Sequence, residues 1–332
     1  MSLFILTLSL LFAVSLLTFD CSHSFEKTKM PILKTSMAII IVLCHLAPKV
    51  DISWIQPLRY WGAPCVSVFF FVSGYGLTIS NKCNLRYYLR RSLKVLIPCI
   101  LVSIMYFFLV RMPQDNLGYS LSEMIKTGTS PQHHLWFVWA LLIEYSLFFL
   151  SGGIKSKMMR LCTLFVSTIT AIVVLRTVGY DRCWYVSLLA FPMGAMVALY
   201  SNRVYIILNR NRLSFCGFFC FSMLLAAIMY ATKVEYLYCI SHAFIALAVF
   251  CVIVHLPIDR LFPHQQKIWG ISYEIYLTQV VSMDFLRGVL YVKSDVYYVL
   301  LTIVLIILLS LALNVVQAKV SHIFSIMENS GK

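Results

Sequence analysis

Ten residues separate Lys34 from His45 in the run LKTSMAIIIVLCHLA. On an ideal helix those eleven steps bring the two side chains within about 20° of each other around the axis and ~16 Å apart along it. The spacing predicts a cation at a membrane surface and an imidazole about halfway through a hydrocarbon core ~30 Å thick. An imidazole can take a proton from a hydroxyl near neutral pH and return it to a leaving group, so His45 is a candidate general base. The competing reading is a neutral ring bonded to a neighbouring helix.

Other polar groups interrupt apolar runs in the same way. The stretch RYWGAPCVSVFFFVSGYGLTIS holds Ser67, Ser73, Gly74, Tyr75 and Gly76, which read either as a close helix crossing or as a gap with hydroxyl donors for a substrate. Directly after it come Lys82, Arg86, Arg90, Arg91 and Lys94. Ordinary charge bias near a membrane explains their sign, but their density also suits a ligand with several phosphates, which arginine forks and lysine point charges pair with. HHLWF opens another block at His133, and WGISYEIYLTQ sets Ser272, Tyr276, Gln279 and Met283 along one helical stripe. Glu144, His242, His255, Glu274 and Asp284 complete the ionisable groups within or beside apolar segments, and none of them receives a role.

The elements that must carry these groups are membrane helices. Hydrophobic residues make up 61% of the 332 and charged residues 12%, against about 25% charged in an ordinary soluble domain, so no aqueous fold hides this surface. Alternating strand patterns are missing and apolar blocks recur, which predicts an all-α, polytopic transmembrane bundle of about ten core helices plus one extra N-terminal helix. The blocks are 2–19, 35–49, 61–80, 95–111, 135–151, 161–178, 184–200, 213–231, 236–256, 268–286 and 296–316. The division is then 1–32 for the extra helix and its linker, 33–316 for the membrane domain and 317–332 for a cytoplasmic tail. The first block lacks a basic n-region and a small-residue cleavage site, which favours an uncleaved helix.

Placing the first N-terminus outside puts 18 of the 27 Lys and Arg residues on the inner side, including Lys34 and the Lys82–Lys94 cluster. The formal charge of +14 then reflects topology and attraction to anionic lipid, and nucleic acid is excluded as a partner because the cations are divided among loops. The eleven cysteines lie singly with no CxxC, so no metal site is expected; Cys65 and Cys183 could pair in an oxidising compartment. No loop has room for a soluble catalytic domain, so any chemistry lies within the bundle.

In this order the segments resemble the acyltransferase-3 family of bacterial multi-pass membrane O-acyltransferases, over roughly 33–285. Lys34 and His45 are similar to the family's basic-x10-His motif, and FFFVSGY to its FF-x-x-SG element. Arg91-x-x-Lys94 before Pro98 resembles its basic pair, while HLWF and GISYEIYL match two further blocks. Gln279 stands where many members carry histidine, and Pro31 where an acidic residue often precedes the basic one. No fused esterase-like outer domain is present, which leaves open the side on which the acceptor is acylated.

The resemblance implies acyl-CoA, with acetyl-CoA foremost, as donor co-substrate and a carbohydrate or lipid-linked glycan as acceptor, in the bacterial cytoplasmic (inner) membrane. Lys34, Arg90, Arg91 and Lys94 would hold coenzyme A phosphates, and His45 would act as base or acyl carrier. Ser73, Tyr75, Trp136, Tyr276 and Gln279 would contact the substrates, with Ser73 or Tyr75 as oxyanion donors. From a different class, a lipid-linked glycan flippase or other carrier would use the same charged cavity without bond chemistry.

Overall fold

The computed structural model describes residues 2–19, 29–80, 82, 84–112, 133–256 and 270–330. Trp269, the loop of 113–132 and the linker of 20–28 lie outside the described residues. Twelve α-helices follow in order: α1 Ser2–Leu17, α2 Lys29–Leu46, α3 Gly62–Ser80, α4 Leu85–Tyr106, α5 Trp136–Ser151, α6 Lys157–Val178, α7 Ala190–Leu199, α8 Ser201–Arg210, α9 Arg212–Ala231, α10 Glu235–His255, α11 Ser272–Asp284 and α12 Asp295–Ser330. No strand occurs among the described residues. Among the described residues, seven helices are long and apolar enough to cross a membrane, or eight if the pair α7–α8, bent by 84°, is counted as one. The chain is a multi-pass membrane protein.

Local sequence explains where the helices begin and stop. Asn84 caps α4, its side chain accepting from the Tyr87 N–H at 2.8 Å, and Asn211 does the same for Ser214 at the start of α9. Gly179 ends α6 at φ +91°, a left-handed conformation that costs glycine nothing. Pro31, Pro64 and Pro192 sit in first turns, where no intrahelical donor is lost. The central helix is α10, apolar all round because it is buried nearly all round, and α1, α3, α7 and α9 pack on it.

Three helix limits differ from the apolar blocks. α2 starts at Lys29, whose buried ammonium donates to the Val254 carbonyl at 2.7 Å, so His45 falls in the last turn of the helix and not at its middle. α4 starts at Leu85, its cations being helical residues on an exposed face that apolar counting misses. The block 184–200 is not one helix: residues 182–189 form turns, and regular helix begins only at Ala190. α8, expected as loop, is a short amphipathic helix with Ile206 and Ile207 exposed beside Arg203 and Arg210, the pattern of a helix lying along a membrane surface.

The tightest contact in the bundle is α3 against α7. A Cβ on Gly74 would stand 2.1 Å from the Phe191 carbonyl oxygen, and one on Gly194 would stand 2.0 Å from that of Phe71. Backbone meets backbone there, which only glycine permits. The Ser-Gly pair of α3 is therefore a helix crossing. α1 is built into the bundle: Phe12 stacks on Phe219 at 3.9 Å and Thr18 donates to the His255 carbonyl at 3.1 Å.

Candidate active site

α11 packs against both α2 and α4, and it brings Gln279 to the ring of His45. His45 Nδ1 lies 3.0 Å from Gln279 Oε1, while Gln279 Nε2 donates to the Tyr276 carbonyl at 2.9 Å. An amide oxygen only accepts, so Nδ1 carries the proton and donates it, and Nε2 keeps its lone pair. Gln279 is fully buried and held at both ends, which fixes the ring plane. This is the second-group support a histidine base needs: one nitrogen anchored and the other left free to exchange protons.

Beside the ring is a cavity of about 150 Å³, lined by Ile41, His45, Gly62, Ala63, Val66, Trp136, Cys183, Val186, Ser187 and Tyr276. His45 therefore faces an internal space and not the surrounding lipid. Tyr276 gives its hydroxyl proton to the His134 carbonyl, and His134 Nε2 donates to the Leu277 carbonyl at 3.3 Å, so the HLWF turn and α11 brace each other. Ser187 accepts from Ser67 at 2.9 Å and donates to the Ala63 carbonyl at 3.2 Å. Trp136, at the start of α5, closes one side of the cavity.

At the other end of α2 a second group assembles. Arg91 of α4 is near enough to Lys34 for their charges to interact, and neither pairs with a described carboxylate. Arg91 Nε donates to the Tyr87 hydroxyl at 3.1 Å, and a small cleft around it takes in Lys82, Tyr88, Tyr145 and Phe148. Ser73 lies near Tyr145 in the same region. Two adjacent cations with no counter-ion among the described residues suit an external anion with several charges.

The sequence-expected residues thus separate into two groups. His45, Gln279, Tyr276 and Trp136 come together around the cavity; Lys34, Arg91 and Ser73 gather at the basic end. Arg90 and Lys94 are exposed on α4 and line neither space. Tyr75 is bonded to Tyr205 of α8 at 2.9 Å. Ser73 and Tyr75 lie further along α3 than Gly62, Ala63 and Val66, the α3 residues that line the cavity. Cys65 and Cys183, which could pair in an oxidising compartment, are both free thiols here. Glu144 is buried with one oxygen accepting from Thr168 at 3.1 Å, away from both groups. Ser187 and Cys183 went unrecognised as cavity residues, since nothing in WYVSLLAF distinguishes a turn from a helix.

A family model described as an acyltransferase domain, the acyltransferase-3 type, matches residues 30–315. The chain belongs to that family. The match takes in both groups of residues and every helix from α2 to most of α12, so the acyltransferase assignment applies to the bundle that holds them. No curated protein and no solved structure matched the chain.

Proposed function

We propose that this acyltransferase moves an acyl group, acetyl foremost, from acyl-CoA to a hydroxyl of a cell-surface glycan or its lipid-linked precursor, and that it does so in the bacterial inner membrane. The observation that carries the reading is the tautomer of His45: Nδ1–H held by Gln279, with Nε2 unprotonated beside a cavity. Lys34 and Arg91 on the cytoplasmic side take the coenzyme A phosphates, with Arg90 and Lys94 adding positive field at the mouth. Extended, the pantetheine arm has the reach to cover the ~16 Å from Lys34 to His45.

The acceptor hydroxyl gives its proton to His45 Nε2 as its oxygen bonds to the thioester carbon. The carbon–sulfur bond then breaks, and the proton passes from Nε2 to the departing thiolate. Trp136, on the cavity wall, contacts the substrates beside the ring. Tyr276 and Gln279 shape the site and hold the ring, while Ser73 and Tyr75 fix the walls nearer the donor's entry.

Two measurements test this together: release of free coenzyme A from acetyl-CoA by purified protein, and the mass of the acceptor glycan. The wild type should consume the thioester only with acceptor present and add one acetyl mass. His45→Ala should lower that rate by about 10²–10⁴-fold with normal insertion. A His45→Ala protein working at the wild-type rate would refute the base role, and an unchanged acetyl-CoA pool would favour a carrier.

A further inference from the structure

Ala63, Cys183 and Val186 line the His45 cavity, and the same three residues line a second, larger space of about 480 Å³. Its remaining wall is Tyr60, Pro64, Arg182, Tyr230 and His242. Tyr60 follows α2, Arg182 follows α6, Tyr230 ends α9 and His242 lies in the second turn of α10. All of these are at the end of the bundle opposite Lys34. His45 therefore has a vestibule of its own on the side away from the basic cleft, of a size within the ~300–1,000 Å³ usual for small-molecule sites.

The vestibule's polar groups have a definite chemistry. The Arg182 guanidinium lies 3.9 Å over the Tyr238 ring, which holds it in place on the vestibule wall. It forms no ion pair with a described carboxylate: Glu235 is taken by Arg176 at 3.0 Å and by the Tyr185 hydroxyl, and Asp181, its chain neighbour, does not bond it. His242 is buried, and its Nδ1 donates to the Tyr238 carbonyl at 2.8 Å, so in the neutral ring Nε2 is an acceptor. Tyr60 and Tyr230 present exposed rings beside them.

From these features we infer that the vestibule binds the acceptor through an acidic group: the ligand is a sugar carrying a carboxylate or phosphate, gripped by the Arg182 fork. A sugar hydroxyl donates to His242 Nε2, and a second hydroxyl reaches through the shared neck toward His45. An unpaired planar cation selects an oxyanion, and rings with a hydrogen-bond acceptor between them fit the apolar faces and hydroxyl edges of a pyranose. The assignment of an acceptor to this space rests on the reading of His45 as the base.

The test measures binding to the full-length protein in phosphatidylcholine nanodiscs with no acyl donor, using methyl glucuronide, glucose 1-phosphate and methyl glucoside as probes. Both acidic probes should bind at least about tenfold more tightly than the neutral one. Arg182→Gln should bring them to the neutral level, Arg182→Lys should retain part of the preference, and Arg176→Gln, outside the vestibule, should leave it intact. Equal binding of methyl glucoside, or a preference that survives Arg182→Gln, overturns the inference. Loss of acidic-sugar binding on adding phosphatidylglycerol to the discs also overturns it, by showing a lipid headgroup in the space. Because no donor is present, failure of the acyl-transfer reading would appear separately, as unchanged catalysis in His45→Ala.

Discussion

The two ends of the bundle treat charge in opposite ways. At the end away from Lys34, Lys49 pairs with Asp284 at 2.9 Å, Arg176 with Glu235 at 3.0 Å, and Arg287 with Asp295; these are all the ion pairs formed between described residues. At the basic end Lys34, Lys82, Arg91 and Lys94 make none. The first set ties helix ends together: Lys49 and Asp284 join the chain after α2 to the end of α11, the two elements that hold His45 against Gln279. The second set keeps its positive potential for something outside the chain. In the proposed function, charge neutralised internally positions the His45 ring, and charge left over recruits the donor.

This contrast makes unequal predictions for the two ends. Removing both recruiting cations with Lys34→Gln and Arg91→Gln should raise KM for acetyl-CoA by about tenfold or more, with a smaller change in kcat, because charge-assisted phosphate contacts are lost while the ring is untouched. Initial-rate kinetics across acetyl-CoA concentrations check this, and an unchanged KM would remove the donor site from that cleft. Gln279→Ala frees the ring without touching its chemistry, so kcat should fall by about tenfold with KM nearly constant; single-turnover rates measure it. Asp284→Asn breaks the lock at the far end. The pair is about one-third exposed, with side chains at 38% and 27%, so stability should change by less than about 1 kcal/mol in thermal unfolding.

The helix crossing offers a separate measurement. Gly74→Ala puts a methyl group 2.1 Å from a carbonyl oxygen that cannot yield as a side-chain tip would. Overpacking of this kind costs about 1–3 kcal/mol or more, and folded, monodisperse protein should be lost in fluorescence size-exclusion profiles. Gly76→Ala, with open space around it, should fold normally.

How far the sequence reached depends on the kind of signal. Long apolar runs announce buried helices whatever packs against them, so the helical membrane bundle and its segments were legible. The pairing of Lys34 with His45 on one face was legible too, because helical geometry links residues along one element. What pairs across elements was not. Gly74 had a close crossing among its readings, yet its partner Gly194 passed unremarked within AFPMGAMVA, although Ala190, Gly194 and Ala198 recur every four residues in the small-residue pattern of such crossings. The turns of 182–189 carry no glycine or proline, so apolar content alone made them look like helix. Arg182 drew no attention as a lone loop cation, and His242 was noticed but given no partner, since only the fold sets the two on one wall.

The welded crossing of α3 and α7 has a mechanical side. Two helices in backbone contact cannot slide without lifting apart, so they behave as a single stiff slab carrying Ser67 and Ser187 on one edge and Ser73 near the other. Any breathing that lets a long flexible arm slip inward must then come from the opposite wall, where α4 and α5 meet through side chains alone. Tyr88 of α4 holds α5 there in two ways, through the Ser146 hydroxyl at 2.9 Å and by stacking on Phe149 at 5.0 Å, contacts that side chains can give up without moving a backbone.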